Sequence, residues 1–362
     1  MTDCIIVGAG IIGMLSARAL HDAGLEVCVL ERSAAGRESS WAGGGILSPL
    51  YPWRYPAPVS RLARASQRVY PQLAETLARE SGIDPEYRCS GLLMLDAGEQ
   101  DRARAWAAEY DVRIELPAGD RIPALEPALA VREAGVLFPD VGQVRNPRLV
   151  RALRRSLEVR GIPVREHRTV EGIAVEDGRV RGVVTAEGVL PARAVVVAGG
   201  AWSAGLLAQT GIRLPVEPVR GQMILYRAEP GMLRHIVLHR GRYLIPRRDG
   251  RILFGSTLER VGFDKSTTAE ARTSLCTDAE SLLPALAGCR IEHHWAGLRP
   301  GSPAGVPFIG EHPGIRQLFV NTGHFRNGVV LAPASVQLLT ELVLGHTPSL
   351  DPAPYRLPEL AG

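Results

Sequence analysis

The sequence predicts an α/β protein of two domains: a discontinuous, Rossmann-like dinucleotide-binding domain and a second domain built on a large antiparallel sheet. Three observations predict it. Residues 3–31 read as strand, glycine turn, helix, strand, acid. Residues 193–202, RAVVVAGGAW, form an unbroken apolar run that ends in glycines. Between residues 215 and 254 the pattern changes to short alternating segments around Asp249-Gly250, the period of an antiparallel sheet.

In the first unit, residues 4–7 (CIIV) are a strand and Gly8, Gly10 and Gly13 of GAGIIG make the turn. The helix that follows runs to Ala23 and stops at Gly24. A second strand ends in Glu31. The glycines let the backbone turn tightly and approach a pyrophosphate, the helix N-terminus offers free N–H groups to it, and the acid accepts hydrogen bonds from ribose hydroxyls. The unit predicts an adenine-dinucleotide site. Residues 38–49, ESSWAGGGILSP, then carry Gly43, Gly44 and Gly45 in a row. Three glycines between apolar flanks predict close approach of the backbone to the cofactor. Residues 51–58, YPWRYPAP, are stiff and aromatic, and fit either a cover over a site or plain loop packing.

A helix is expected over 59–81, stopped by Gly82, and a polar one over 99–110. Asn146-Pro147 opens another, which Gly161 ends. Segments 173–176 and 179–186 flank Asp177-Gly178, a hairpin signal. The run at 193–202 reads as a buried parallel strand returning to the dinucleotide sheet, with Gly199 at its cofactor end. Segments 222–226, 242–246 and 251–254, a helix near 269–283 and a strand at 290–295 build the second domain. The chain returns to the first with strand 318–320 and a last helix. The expected division is 1–85, 140–212 and 296–362 for the dinucleotide domain, and 86–139 and 213–295 for the substrate domain.

Composition narrows the partners. An apolar share of 46% and a charged share of 22% fit a soluble globular chain. Net charge is +4, Lys265 is the one lysine, and the arginines form no stripe, so no nucleic-acid partner is expected. No run approaches the ~20 apolar residues of a membrane span, and Asp3 stands where an export signal would be basic. Five cysteines without a CxxC predict reduced thiols and a cytoplasmic setting. No metal site is expected: His293 and His294 are adjacent, so on a strand they face opposite ways.

Two arginines stand out. Arg299 in WAGLRP and Arg326 in GHFRNG lie in glycine-rich, otherwise apolar segments. A charge there is costly unless something pairs with it. The guanidinium fork matches a carboxylate, so both predict a receptor for an anionic substrate group.

Six stretches carry a resemblance: DCIIVGAGIIG, the 43–45 run, VVVAGGAWS, YLIPRRDGRILFGST, HWAGLRPGSPAGVPFIG and GHFRNGVVLAP. Taken in this order, they resemble the glycine oxidase (ThiO-like) branch of the D-amino-acid oxidase family of FAD-dependent oxidoreductases, over nearly the whole chain. The resemblance implies FAD. Relatives that attach flavin covalently use a late cysteine, and none follows Cys289, so it implies non-covalent FAD. It places substrate contacts at Arg299, Arg326 and the Tyr243 hydroxyl. It places flavin contacts at Ile11, Ile12, Glu31, Arg32, Ser39, Ser40, Gly44, Gly45, Ile46 and Val170. The stretch His324, Phe325, Arg326, Asn327, Gly328, Val329 and Val330 completes them. Leu258 stands where a methionine occurs in relatives, which leaves the preferred side chain open. The implied activity is oxidative deamination of glycine, sarcosine and small D-amino acids by molecular oxygen. Its products are the oxo acid, ammonia and hydrogen peroxide, and it feeds thiamine (thiazole) synthesis. The family also implies a homo-oligomer, as a tetramer. Three other readings stay open: an amine dehydrogenase that passes electrons to a quinone, a flavoprotein that acts on a protein partner, and a tRNA-modifying oxidase module, the last disfavoured by the lack of a basic stripe.

Overall fold

The first strand, Thr2–Val7, buries side chains on both faces. Cys4 and Ile6 enter one core cluster; Ile5 and Val7 enter another. Only a strand in the middle of a layered sheet does this. The computed structural model describes residues 2–360 and shows that sheet. Parallel strands run in the order Val164–Arg165, Val27–Leu30, Thr2–Val7, Gly188–Val197, Ile315–Thr322. Helices Ile11–Asp22, Ala57–Ser81, Asn146–Val159 and Gly328–Val343 cover one face. On the other, the start of Gly188–Val197 leaves the parallel layer and pairs antiparallel with Arg179–Thr185, which pairs in turn with Gly172–Glu176. That is the expected hairpin.

The helix Gly328–Val343 contains Pro333, which has no N–H to give to the carbonyl of Val329. The Tyr70 hydroxyl donates to that carbonyl instead, and Ser66 Oγ accepts from the N–H of Ala334 at 2.9 Å. Both come from Ala57–Ser81, so the proline is also what locks the two helices together.

A second sheet of seven strands has the order Arg290–Gly301, Glu217–Arg227, Arg251–Gly255, Arg242–Pro246, Ile236–His239, Leu92–Leu95, Gly135–Phe138. Its pairs are antiparallel except Ile236–His239 against Leu92–Leu95. Side chains alternate. Ile224, Tyr226, Leu244 and Phe254 pack in a core with Leu275, Ala279 and Leu282 of helix Ala269–Leu282, while Met223, Tyr243 and Ile245 belong to the cluster on the opposite face.

One strand departs from expectation with consequences for the site. The segment expected to end at 295 continues to Gly301, paired along its length with Glu217–Arg227. Gly297 and Pro300 look like breakers, but this is an edge strand, where a proline removes no ladder bond. Arg299 therefore stands on the second sheet and not on the return to the first. Among the described residues, no helix is long and apolar enough to cross a membrane, and no group of three His, Cys, Asp or Glu side chains is placed to hold a metal.

Candidate active site

A cavity of about 480 Å³ lies between the first sheet's glycine turn and the face of the second sheet that carries Met223 and Tyr243. Its walls are built from the turn upward. Gly8 has φ +106°, and a Cβ there would stand 2.7 Å from the carbonyl oxygen of Ala198. A Cβ at Gly13 would overlap the Gly8 carbonyl oxygen. Gly13 thus closes the turn and, alone among the expected cofactor residues, does not line the cavity. Gly8, Gly10, Ile11 and Ile12 do. Ser39 and Ser40 face them from the short helix Ser39–Ala42, where Ser40 Oγ accepts from the Ile11 N–H at 2.9 Å.

Glu31 is buried, and its carboxylate accepts from the N–H of Ala9 (2.8 Å), the N–H of Ser33 (3.0 Å) and the Ser33 hydroxyl (3.1 Å). A carboxylate has about four acceptor sites, so one stays open toward the cavity that Glu31 lines. Beside it the Arg32 guanidinium lies 3.6 Å over the Trp202 ring, and Trp202 stacks on Phe263 at 5.3 Å. Arg32 also pairs with Glu38 at 3.3 Å, and Glu38 with Lys265 at 3.0 Å. The segment after strand Arg251–Gly255 is thereby latched onto the dinucleotide domain.

The triple glycine has a second reason besides the cavity. Gly45 has φ +77° and sits against the Val144 carbonyl, while a Cβ at Gly44 would meet Ile245 Cδ1 at 2.6 Å. The backbone here is squeezed between the two domains. Arg247 staples it: this buried guanidinium donates to the carbonyls of Gly44 (2.7 Å) and Val144 (3.0 Å) and to Gln143 Oε1 (2.9 Å). Burial pulls its pKa down to about 10, so it stays charged at neutral pH. The aromatic 51–58 segment is mostly packing: Trp53 stacks against Phe138 of the second sheet at 6.3 Å.

Ile46, Val170 and Gly199 complete the walls, and residues 324–330 close the remaining side. There the helix Gly328–Val343 begins, so its positive end meets the cavity. His324 Nε2 bonds Ser335 Oγ at 2.7 Å, and the Ser335 hydroxyl donates to Asn321 Oδ1 at 2.7 Å. Burial pushes the imidazole down to about 3, so the ring is neutral and holds the backbone of this wall.

A prediction follows for acid stability. The unfolded imidazole takes a proton near pH 6.5 and the folded one does not, so stability is lost as pH falls below 6.5, by roughly 1.4 kcal/mol per unit. Between pH 7.5 and 5 this is about 2 kcal/mol. His324→Gln keeps a donor for Ser335 and removes the titration, so its Tm should fall less over that interval than the wild type's. Parallel thermal melts at the two pH values decide it; equal slopes would rule out His324 as the source.

The three residues expected to meet the substrate converge from three elements. Tyr243 comes from Arg242–Pro246, Arg299 from Arg290–Gly301 and Arg326 from the turn before the last helix, and all line the cavity. Arg299 Nη2 donates to Ser256 Oγ at 2.7 Å; Nη1 donates to the carbonyls of Thr257 (3.2 Å) and Arg220 (3.4 Å). A guanidinium has five N–H donors. These three bonds leave two donors over, with the Tyr243 hydroxyl close by, the number a bidentate carboxylate takes. Burial lowers the Arg299 pKa; Tyr243 opposes this and the nearby Arg326 charge adds to it. The site is short of negative charge, which an anionic ligand would supply. Arg326 has no hydrogen-bond or ion-pair partner among the described residues, and it also lines an outer cavity with Arg242 and Leu258. Sequence reasoning assigned no role to Trp202, Met223 or Ser256. No cysteine lines the cavity, so the walls fit a dinucleotide held without a thiol bond.

A dinucleotide cradle that opens onto a cationic pocket on a second sheet is the layout of a cofactor-dependent oxidoreductase of small anionic substrates. The family model described as FAD dependent oxidoreductase (DAO) matches residues 3–342. The chain is 50% identical over 356 residues to a glycine oxidase of Pseudomonas putida, covering 97% of each. It is 35% identical to a bifunctional protein ThiO/ThiG of Synechocystis, covering 95% of this chain and 52% of that protein. The crystal structure of glycine oxidase from Geobacillus kaustophilus matches with a TM-score of 0.93 at 31% identity, over 100% of this chain and 99% of that one. The chain belongs to the glycine oxidase branch of this DAO family and is an FAD-dependent amino-acid oxidase.

Proposed function

We propose that the chain oxidatively deaminates glycine and other small amino acids, sarcosine and small D-amino acids among them, to the oxo acid, hydrogen peroxide and the amine the substrate carried: ammonia from a primary amine such as glycine, methylamine from sarcosine. The observation that carries this is Arg299: a guanidinium fixed by three acceptors, with two donors left over, on the wall of the dinucleotide cavity. Bound FAD supplies the two-electron oxidation and its return to oxygen. The chain's own residues bind and orient. Arg299, with Tyr243 and Arg326, takes the carboxylate, which fixes the position of the α-carbon and amine. Met223, Ile46 and Leu50 give that part of the cavity an apolar lining that keeps water out. The start of helix Gly328–Val343 holds a positive dipole end where negative charge develops. No protein base is required when the amine enters uncharged. Gly8, Gly10, Ser39, Ser40, Gly44, Gly45 and Glu31 would hold the dinucleotide. The product imine would feed thiazole formation for thiamine, a reading supported by the match to a ThiO/ThiG protein.

The test is the purified yellow protein with glycine, sarcosine, D-alanine and D-proline under air, with peroxide as readout, and the same panel without oxygen but with a quinone-like dye. Peroxide from glycine supports the oxidase. Dye reduction without peroxide would replace it with the dehydrogenase reading. Silence in both would favour action on a protein partner.

A further inference from the structure

The clamp arginine has a built seat. Arg299 stands opposite Val219 on the neighbouring strand, and Gly221 opposite Gly297, so Gly221 is the diagonal neighbour of Arg299 on the same face. The Arg299 guanidinium lies flat on Gly221: a Cβ there would overlap Nη1, Nη2 and Cζ together. Gly221 does not have a left-handed φ. The backbone would accept any residue here. It is the guanidinium that requires the missing side chain.

Its two neighbours hold the rest of the seat. Arg220 is 4% exposed, and its Nε donates to Glu259 Oε2 at 2.9 Å, with a second ion pair to Asp264. Its backbone exchanges bonds with Glu259 at 2.8 and 3.0 Å. The N–H of Gln222 donates to Thr257 Oγ1 at 2.8 Å, its Nε2 to Glu259 Oε1 at 3.0 Å, and its Oε1 accepts from the N–H of Thr268 at 2.9 Å. Together they tie down the segment 256–268. That segment supplies Ser256 Oγ and the Thr257 carbonyl, two of the three acceptors on Arg299.

We propose that Arg220-Gly221-Gln222 positions the Arg299 guanidinium, and that Gly221 is a positioning residue for carboxylate binding. This rests on the reading of Arg299 as the carboxylate clamp. A methyl at Gly221 collides with the far end of a flexible side chain and not with backbone, so the chain can fold with the guanidinium displaced.

The test is Gly221→Ala in the holoenzyme, alone and in the Arg299→Ala background. Expected is a rise of about tenfold or more in KM for glycine and in Kd for acetate as a competitor, with flavin content and Tm near wild type. In the Arg299→Ala background the same change should move neither constant by more than about twofold, the non-additivity of two residues that act as one. An equal loss in both backgrounds would mean general packing and overturn the proposal. If Arg299→Ala raises KM and Gly221→Ala does not, the seat fails while the clamp stands. If Arg299→Ala leaves KM unchanged, the clamp reading itself fails. Should Gly221→Ala not fold, Ser256→Ala replaces it: removing one acceptor should raise both constants about three- to tenfold, again only when Arg299 is present, and a loss without Arg299 overturns the proposal.

Discussion

Arg299→Ala is expected to raise KM for glycine, and Kd for small carboxylate competitors, by roughly 30- to several thousand-fold. The estimate follows from leaving one partner of a desolvated charge pair unmatched, which costs about 2–5 kcal/mol. The substrate carboxylate would otherwise enter an apolar cavity with only Tyr243 and Arg326 to receive it. The loss should be confined to the substrate: Arg299 stands on the second sheet, and the glycine turn, Glu31 and the 324–330 wall do not depend on it. The variant should purify yellow with full flavin. Arg299→Lys keeps the charge but loses the planar fork, so it should fall between wild type and alanine. Steady-state kinetics at saturating oxygen, with absorbance at 450 nm for flavin content, check both halves. Unchanged kinetics would sink the clamp.

The second large effect is expected at Gly13, a residue that does not touch the cavity. Its Cβ would overlap the Gly8 carbonyl oxygen, and Gly8 cannot retreat. Its N–H is bonded to the carbonyl of Leu30 at 2.8 Å and its own Cα faces Ala198. Gly13→Ala must therefore open the turn between Thr2–Val7 and Ile11–Asp22. Overpacking of this kind costs about 1–3 kcal/mol, and it displaces the N–H groups that would face the pyrophosphate. The expected result is a colourless or weakly yellow protein with a lowered Tm. Gly24→Ala is the control. A Cβ there meets nothing within 4 Å, and only its φ of +90° is strained, so flavin should be retained. Full flavin in Gly13→Ala would show that the turn tolerates the methyl.

Residues 3–31 could be read from the chain because every level agrees there: apolar runs, glycine spacing, helix stop and terminal acid describe one object. Arg299 and Arg326 were singled out for a different reason, since a charge among glycines and apolar residues needs a partner, and both line the cavity. What the sequence did not disclose are relations across distance. Arg299 was expected at the return to the first sheet, beyond a strand ending at 295; edge position, which no local pattern reveals, lets the strand continue through Gly297 and Pro300. The triple glycine pointed to a cofactor, yet Val144 and Ile245 press on it as closely as any ligand would. Gly221 carries no local signal, since its purpose is a side chain 78 residues further along. The short strands Gly135–Phe138 and Ile236–His239 offer too few residues to show a period.

The latch at the domain boundary has a practical consequence. Lys265 provides the one side-chain amine in the sequence, and it is spent on Glu38, two residues beyond Phe263 on Trp202. An amine-coupling dye or resin therefore has one lysine side chain to attach to, besides the chain's α-amine. The same reaction that labels the side chain also erases one of the charges at the domain boundary, where Arg247 and the Trp202–Phe263 stack remain. A fluorophore placed there becomes a reporter of that boundary, and immobilisation through lysine would tether the enzyme by its own clasp.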